Sequence, residues 1–280
     1  RGAARKRLDR LWDQVGEIGD FRMVPWLAPF LPAMRFWQTA SASFLPFSPT
    51  GVATQLYSPY AFGQSWTNPL EPVVRDLDFS HVGAETGPKF FVSATNVRTG
   101  KIKVFHAKEI TPDALLASAC LPTVFQAVEI DGEAYWDGGF SGNPALFPLY
   151  EPDLPDDILV VSINPMRRDD VPDTPTEIQN RINEISFNAS LLGELRAINF
   201  VRRLIAEGRM EQGRMKAVNV HMIADDGLMN ELTAESKLAP TPLLLERLKA
   251  AGRAAAERFL KDGGTKIGQD TSVDLGGMLG

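Results

Sequence analysis

Residues 118–144 read SACLPTVFQAVEIDGEAYWDGGFSGNP, and their interpretation decides the fold. Ala134, Tyr135 and Trp136 form a strand-like aromatic run, Asp137 ends it, Gly138 and Gly139 follow, and Ser141 to Pro144 make a second small-residue turn. Taken alone, an Asp-Gly step is a common turn, and a hairpin without chemistry accounts for it. The other reading makes Asp137 half of a catalytic pair. Two glycines permit positive φ and a close backbone approach, so an acid at a strand end is fixed without a flexible tether.

The flanking sequence alternates strands and helices. Apolar and β-branched runs predict strands at about 89–97, 101–106, 124–130, 157–163 and 217–223. The ILVVSI run within 157–163 is continuously apolar, as expected of a central strand covered on both faces. Leu8, Leu11, Trp12 and Val15 predict an amphipathic helix at about 3–15, closed by Gly16 and Gly19. Thr111 and Pro112 open a short helix that Pro122 stops. Thr174 and Glu177 stand at capping-box spacing before a stripe of Ile178, Ile182, Ile185, Ala189, Leu192 and Leu195, predicting a helix or kinked pair to about Gly208. Thr241 and Pro242 open a last helix with Leu244, Leu248, Ala251, Ala255 and Phe259 on one face, ending at Gly263. Strands interleaved with helices argue for an α/β fold.

With these flanks, the block from Ser118 to Pro144 resembles the segment of patatin-like phospholipases that carries the second member of their Ser–Asp catalytic dyad. There a helix ending in a Ser-Ala-x-x-Pro pattern, here Ser118, Ala119, Leu121 and Pro122, precedes a strand pair and Asp-Gly-Gly. Further stretches look like bacterial patatin-like sequences in register: SPTGVATQLYSPYAFGQSWTNPLEPVVRD, VSATNVRTGKIKVFHAKEITPDALLASA, DDILVVSINP and the closing GQDTSVDLGGML. The likeness spans most of the chain. It implies a three-layer α/β/α architecture with a mixed, mostly parallel central sheet, residues 1–280 forming the C-terminal portion of a single hydrolase domain. It also implies that Asp137 accepts the serine proton and returns it to the leaving group, there being no histidine in such a dyad. Gly138 and Gly139 shape the site, and Asn143 has a secondary polar role or is simply a turn residue.

A hydrolase of this kind also needs a Gly-x-Ser-x-Gly nucleophile elbow and a glycine-rich oxyanion loop. Neither occurs in these 280 residues: GQSWT at Gly63 lacks the second glycine, FSG at Ser141 does not complete the pattern in register, and LGGMLG has no following strand and helix. In the family the elbow lies upstream of the helix that RGAARKRLDRLWDQVG resembles. The resemblance therefore implies absent N-terminal strands, amounting to roughly two β–α units of ~30 residues each. An N-terminal segment of the same domain, as a separate or cleaved chain, becomes an expected partner, because without it a sheet edge and apolar surface would be left open.

Composition narrows the classes further. A net charge of -6 gives no attraction to nucleic acid, which is excluded as a partner. The lone cysteine, Cys120, excludes an intrachain disulfide and polythiolate zinc sites, and fits a reducing compartment. No run reaches about 18 apolar residues, since Pro25, Pro29, Pro32 and Arg35 interrupt the most hydrophobic region. Residues 23–67 are rich in proline and aromatics; Trp26, Phe30, Phe36, Trp37, Phe44 and Phe47 read equally well as a cap over an acyl pocket, an interfacial surface, or simple packing.

His81, His106 and His221 stand in different segments without a triad or ligand signature and read as surface or core histidines. Asp169 with Asp170 and Asp225 with Asp226 read as solvated acids, so no metal site is assigned. Arg167 and Arg168 read as a solvated loop, an anionic head group being the other option. The expectation is a lipid acyl hydrolase of phospholipase A or lysophospholipase type, with no cofactor, acting on a lipid or other acyl ester at a membrane surface, and cytoplasmic or peripheral in location. A non-lipid esterase or thioesterase on the same scaffold, and a non-catalytic lipid-binding or regulatory protein, remain the alternatives.

Overall fold

The computed structural model describes residues 2–19, 58–60, 68–84, 86–122, 125–211, 213–232 and 241–279. Apart from Ser58–Tyr60, the proline- and aromatic-rich stretch at 23–67 lies outside the described residues, and so do its proposed cap aromatics. The order of described elements is α1 (Gly2–Gly19), α2 (Glu71–Arg75), β1 (Phe91–Asn96), β2 (Ile102–His106), α3 (Pro112–Ser118), β3 (Val128–Ile130), β4 (Glu133–Asp137), β5 (Asp157–Val161), α4 (Pro175–Ala206), β6 (Asn219–Ile223), α5 (Asp226–Glu231), α6 (Pro242–Asp262) and α7 (Leu275–Leu279). This is a mixed α/β fold. The chain divides into two compact units: 1–138 with 172–181 and 233–246, and 139–171 with 182–232 and 247–280.

The first unit holds a four-stranded sheet in the order β2-β1-β4-β3, with every pairing antiparallel. Short turns dictate that direction for β1–β2 and β3–β4, because a hairpin loop cannot bring strands parallel. Asp131 and Gly132, at φ 52 and φ 80, make the two-residue turn between β3 and β4, and positive φ at both positions matches the twist of the flanking strands. Between β1 and β2 the Asn96 side chain accepts the Arg98 and Thr99 N–H groups, and Gly100 turns back at φ 67. Ala94, Phe105, Ile110, Ala114, Ala117 and Tyr135 form the core here, with Phe105 and Tyr135 edge to face at 5.6 Å. Thr111 caps α3 by accepting the Ala114 N–H at 3.2 Å, as its position before Pro112 predicts.

In the second unit β5 and β6 run parallel, with Ile158 opposite Val220 and Val160 opposite Met222. Leu146, Ile158, Val160, Leu191, Leu195, Ile198, Val218, Val220 and Leu275 form its core. Among the described residues, then, both strand directions occur, but three of the four pairings are antiparallel. The expected mostly parallel sheet is corrected on that point, and the two tight hairpins account for two of the three antiparallel pairings.

Three local expectations also change. Strand β5 is not covered on both faces: Ile158 and Val160 are buried, whereas Leu159, Val161 and the following Ile163 are 45%, 65% and 65% exposed. Helix α4 turns a different face inward from the one its isoleucines suggest. Ile178, Ile182 and Ile185 are exposed, while Glu184, Asn188, Leu191, Leu195 and Ile198 are buried. Polar partners explain this choice, since Glu184 meets Arg168 and Asn188 donates to the Pro165 carbonyl at 2.9 Å. Gly16 does not close α1, which continues to Gly19; a Cβ there would stand 3.1 Å from a Leu245 methyl, so it is a close-packing point. The Thr174 and Glu177 capping box forms as expected, with reciprocal bonds of 3.3 Å. Leu244, Leu248, Ala251, Ala255 and Phe259 make the covered face of α6.

Candidate active site

Strand β4 carries Asp137 at its end, and neighbouring segments hold its backbone on both sides. The Asp137 N–H donates to the Cys120 carbonyl at 2.8 Å, and its carbonyl accepts the Thr95 hydroxyl at 2.8 Å. The half-buried Asp137 thus continues β4 into the loop that leaves α3, with Ala94 as its ladder partner. Cys120 is buried, and its Sγ lies 3.1 Å from the Gln126 carbonyl. Burial pushes the thiol up to about 11, and the negative charge of Asp137 adds to the effect. Cys120 is therefore a structural, un-ionised neighbour of the acid.

Gly138 explains the backbone geometry. A Cβ at this position would collide with the Ser93 carbonyl and hydroxyl, so only glycine lets the chain pass β1 directly after Asp137. Close approach is the reason, not positive φ: neither Gly138 nor Gly139 is among the positive-φ glycines, which corrects that part of the expectation.

Gly139 and Asn143 belong to the second unit. Gly139 is buried within the 3-10 turn Gly138–Phe140. Phe140 packs on Phe187 with ring centres 5.0 Å apart. The Asn143 N–H donates to the Ser190 hydroxyl at 2.9 Å, and the Asn143–Pro144 peptide is cis. Asn143 is thus tied to α4 through its backbone. Leu146 N–H and the Tyr150 hydroxyl both donate to Glu194, at 3.3 and 2.6 Å. Burial and that carboxylate push the Tyr150 phenol well above its usual range, keeping it a donor.

The tempting polar residues separate clearly. His81 is exposed, and His106 is exposed beside Glu109 at 3.6 Å. Arg167 faces solvent with Asp169 at 2.9 Å. Arg168, in contrast, makes a bidentate pair with the buried Glu184 at 2.8 and 2.6 Å and donates to the Asn230 carbonyl, so it is not a solvated loop residue. Asp225 caps α5 and pairs with Arg258 at 3.3 Å. Among the described residues no group of three His, Cys, Asp or Glu side chains is placed to hold a metal ion, and no described helix is long and apolar enough to cross a membrane.

One constellation escaped the sequence reading. His221, only 1% exposed in β6, has its Nδ1 2.9 Å from Ser272 Oγ and its Nε2 2.8 Å from Asp157 Oδ1. These residues stand 64 and 51 positions from the histidine. Spacing therefore carried no signal; a histidine inside the apolar VNVHMI run was the only hint.

A family model described as patatin-like phospholipase matches residues 6–150, just over half of the chain, a span that contains Asp137, Gly138, Gly139 and Asn143. A search of curated proteins found no match.

Proposed function

The chain belongs to the patatin-like phospholipase family, and on that premise we propose that it is a lipid acyl hydrolase of phospholipase A or lysophospholipase type whose Asp137 is the base of a Ser–Asp dyad. The family itself indicates lipid hydrolysis at a coarse level. The finer reading rests on one observation: Asp137 ends β4 with its N–H and carbonyl both bonded, to Cys120 and Thr95, and Gly138 permits the tight passage beside Ser93. A carboxylate on so fixed a backbone has the positional accuracy that proton transfer needs, within about 0.5 Å.

The nucleophile in this proposal comes from a segment carrying Gly-x-Ser-x-Gly, a motif not found in these 280 residues. Its serine attacks the ester carbonyl as Asp137 takes the hydroxyl proton; Asp137 then protonates the departing alcohol, and water releases the acyl group by the reverse sequence. The proposed complete domain has the family's three-layer α/β/α arrangement. Support comes from β5, where Leu159, Val161 and Ile163 lie open on one face of a parallel pair, although parallel strands are ordinarily covered on both. Trp136 adds a buried indole N–H with no hydrogen-bond partner among the described residues, a group that folded proteins rarely leave unpaired.

The test is acyl-ester hydrolysis by the chain together with its elbow-bearing segment, compared with Asp137→Asn. The expected result is a loss in kcat on the order of 10² to 10⁴ with the melting temperature preserved. Undiminished hydrolysis by Asp137→Asn removes the acid from the dyad; hydrolysis confined to non-lipid esters or thioesters reassigns the substrate.

A further inference from the structure

His221 is buried with both ring nitrogens engaged. Asp157 accepts the Gly268 N–H at 2.9 Å as well as His221, and these bonds hold its carboxyl below the usual carboxylate range. An ionised Asp157 only accepts, so the proton sits on Nε2 and the Nδ1 lone pair faces the Ser272 hydroxyl. Phe259 meets the imidazole edge to face at 6.0 Å. Ser272 is positioned by its own N–H, which donates to the Val220 carbonyl at 3.0 Å. The same serine lines a cavity of about 400 Å³, with Met222, Phe259 and Val273 as apolar wall and Arg258, Lys266 and Asp262 as charged wall.

We propose that Ser272 is an activated nucleophile, with His221 as its base and Asp157 as the orienting acid, in a second acyl-transfer site that takes small carboxylic esters. An acceptor nitrogen facing a serine hydroxyl, and a carboxylate fixing the opposite nitrogen, are the relations a Ser–His–Asp system requires, whichever nitrogen fills each role. Cavity size limits the substrate, because a volume of about 400 Å³ is at the small end of ligand pockets. In the reaction Ser272 Oγ bonds to the ester carbonyl carbon while its proton passes to Nδ1. The bond to the alcohol oxygen then breaks, and that oxygen leaves with the proton. Water attacks the acyl-serine, giving up a proton to Nδ1 that returns to Oγ, and the carboxylic acid departs.

The test uses the full 280-residue chain and an alkyl fluorophosphonate, read by intact mass and peptide mapping. A single adduct on the Ser272 peptide is expected. His221→Gln should lower the labelling rate on the order of 100-fold, and Asp157→Asn should also lower it, circular dichroism showing which variants remain folded. No adduct on Ser272 in the unmodified chain, or His221→Gln labelled as fast as the unmodified chain, overturns the proposal and leaves the three residues as a structural clasp. The Asp137 reading stands apart from this experiment, because it requires an elbow-bearing segment and is read by ester turnover, so the two can fail separately.

Discussion

Asp137 ends β4 and Asp157 opens β5, and the bonds that place them involve different atoms. At Asp137 the backbone is held, by Cys120 on one side and Thr95 on the other. At Asp157 the carboxylate is held, by Gly268, His221 and Asn219. The first arrangement aims a side chain from a rigid strand end; the second uses the side chain to orient a histidine and to tie the C-terminal segment to β6. Burial alone would not separate the two acids, since both are half-buried.

The strongest way to break this contrast is in the second unit, where long-range polar bonds carry more of the structure. Arg168→Ala leaves the Glu184 side chain, 6% exposed, without its bidentate partner, and a stability loss of about 3 kcal/mol is expected in urea titration. A loss below the cost of an ordinary surface change would show that the pair contributes little. Gly138→Ala attacks the first unit instead. The added methyl meets the Ser93 carbonyl, which is backbone and cannot swing away, so about 2 kcal/mol should be lost and ester turnover with it. Full activity and stability in that variant would separate Asp137 positioning from the close approach.

Thr111→Ala removes the cap that bonds Ala114 at the start of α3. About 1 kcal/mol should be lost, seen as a lower melting temperature. The smallest effect is a pH slope. Asp157 is held below its usual range by the Gly268 N–H first and His221 second, so its bonds stabilise the fold above the unfolded carboxylate value of about 4. That contribution is lost as pH falls through this value toward the folded one. Urea midpoints at pH 7 and pH 3 should therefore converge more for Asp157→Asn than for the unmodified chain, and equal differences would assign the slope elsewhere.

Much of the first unit was legible because its decisive interactions are local. Thr111-Pro112 and the Ser118–Pro122 block declare cap and helix end within a few residues. Asp137 itself was singled out by the resemblance of the whole Ser118–Pro144 block, not by its glycines alone. The second unit misled where the pattern was ambiguous. Ile178, Ile182 and Ile185 look like a core stripe, but the fold buries Glu184 and Asn188, whose partners Arg168 and Pro165 are 16 and 23 residues away. No helical periodicity announces a buried ion pair.

By itself the sequence determined the α/β alternation, the helix caps and the Asp-Gly-Gly element, because each depends on torsional preference or on hydrogen bonds spanning only a few positions. Tertiary structure alone decided that Gly138 must pass beside Ser93, that β5 keeps one apolar face open, and that Asp157, His221 and Ser272 meet. Those outcomes depend on which distant backbones come together, and a strand's own alternation cannot specify what lies against either face.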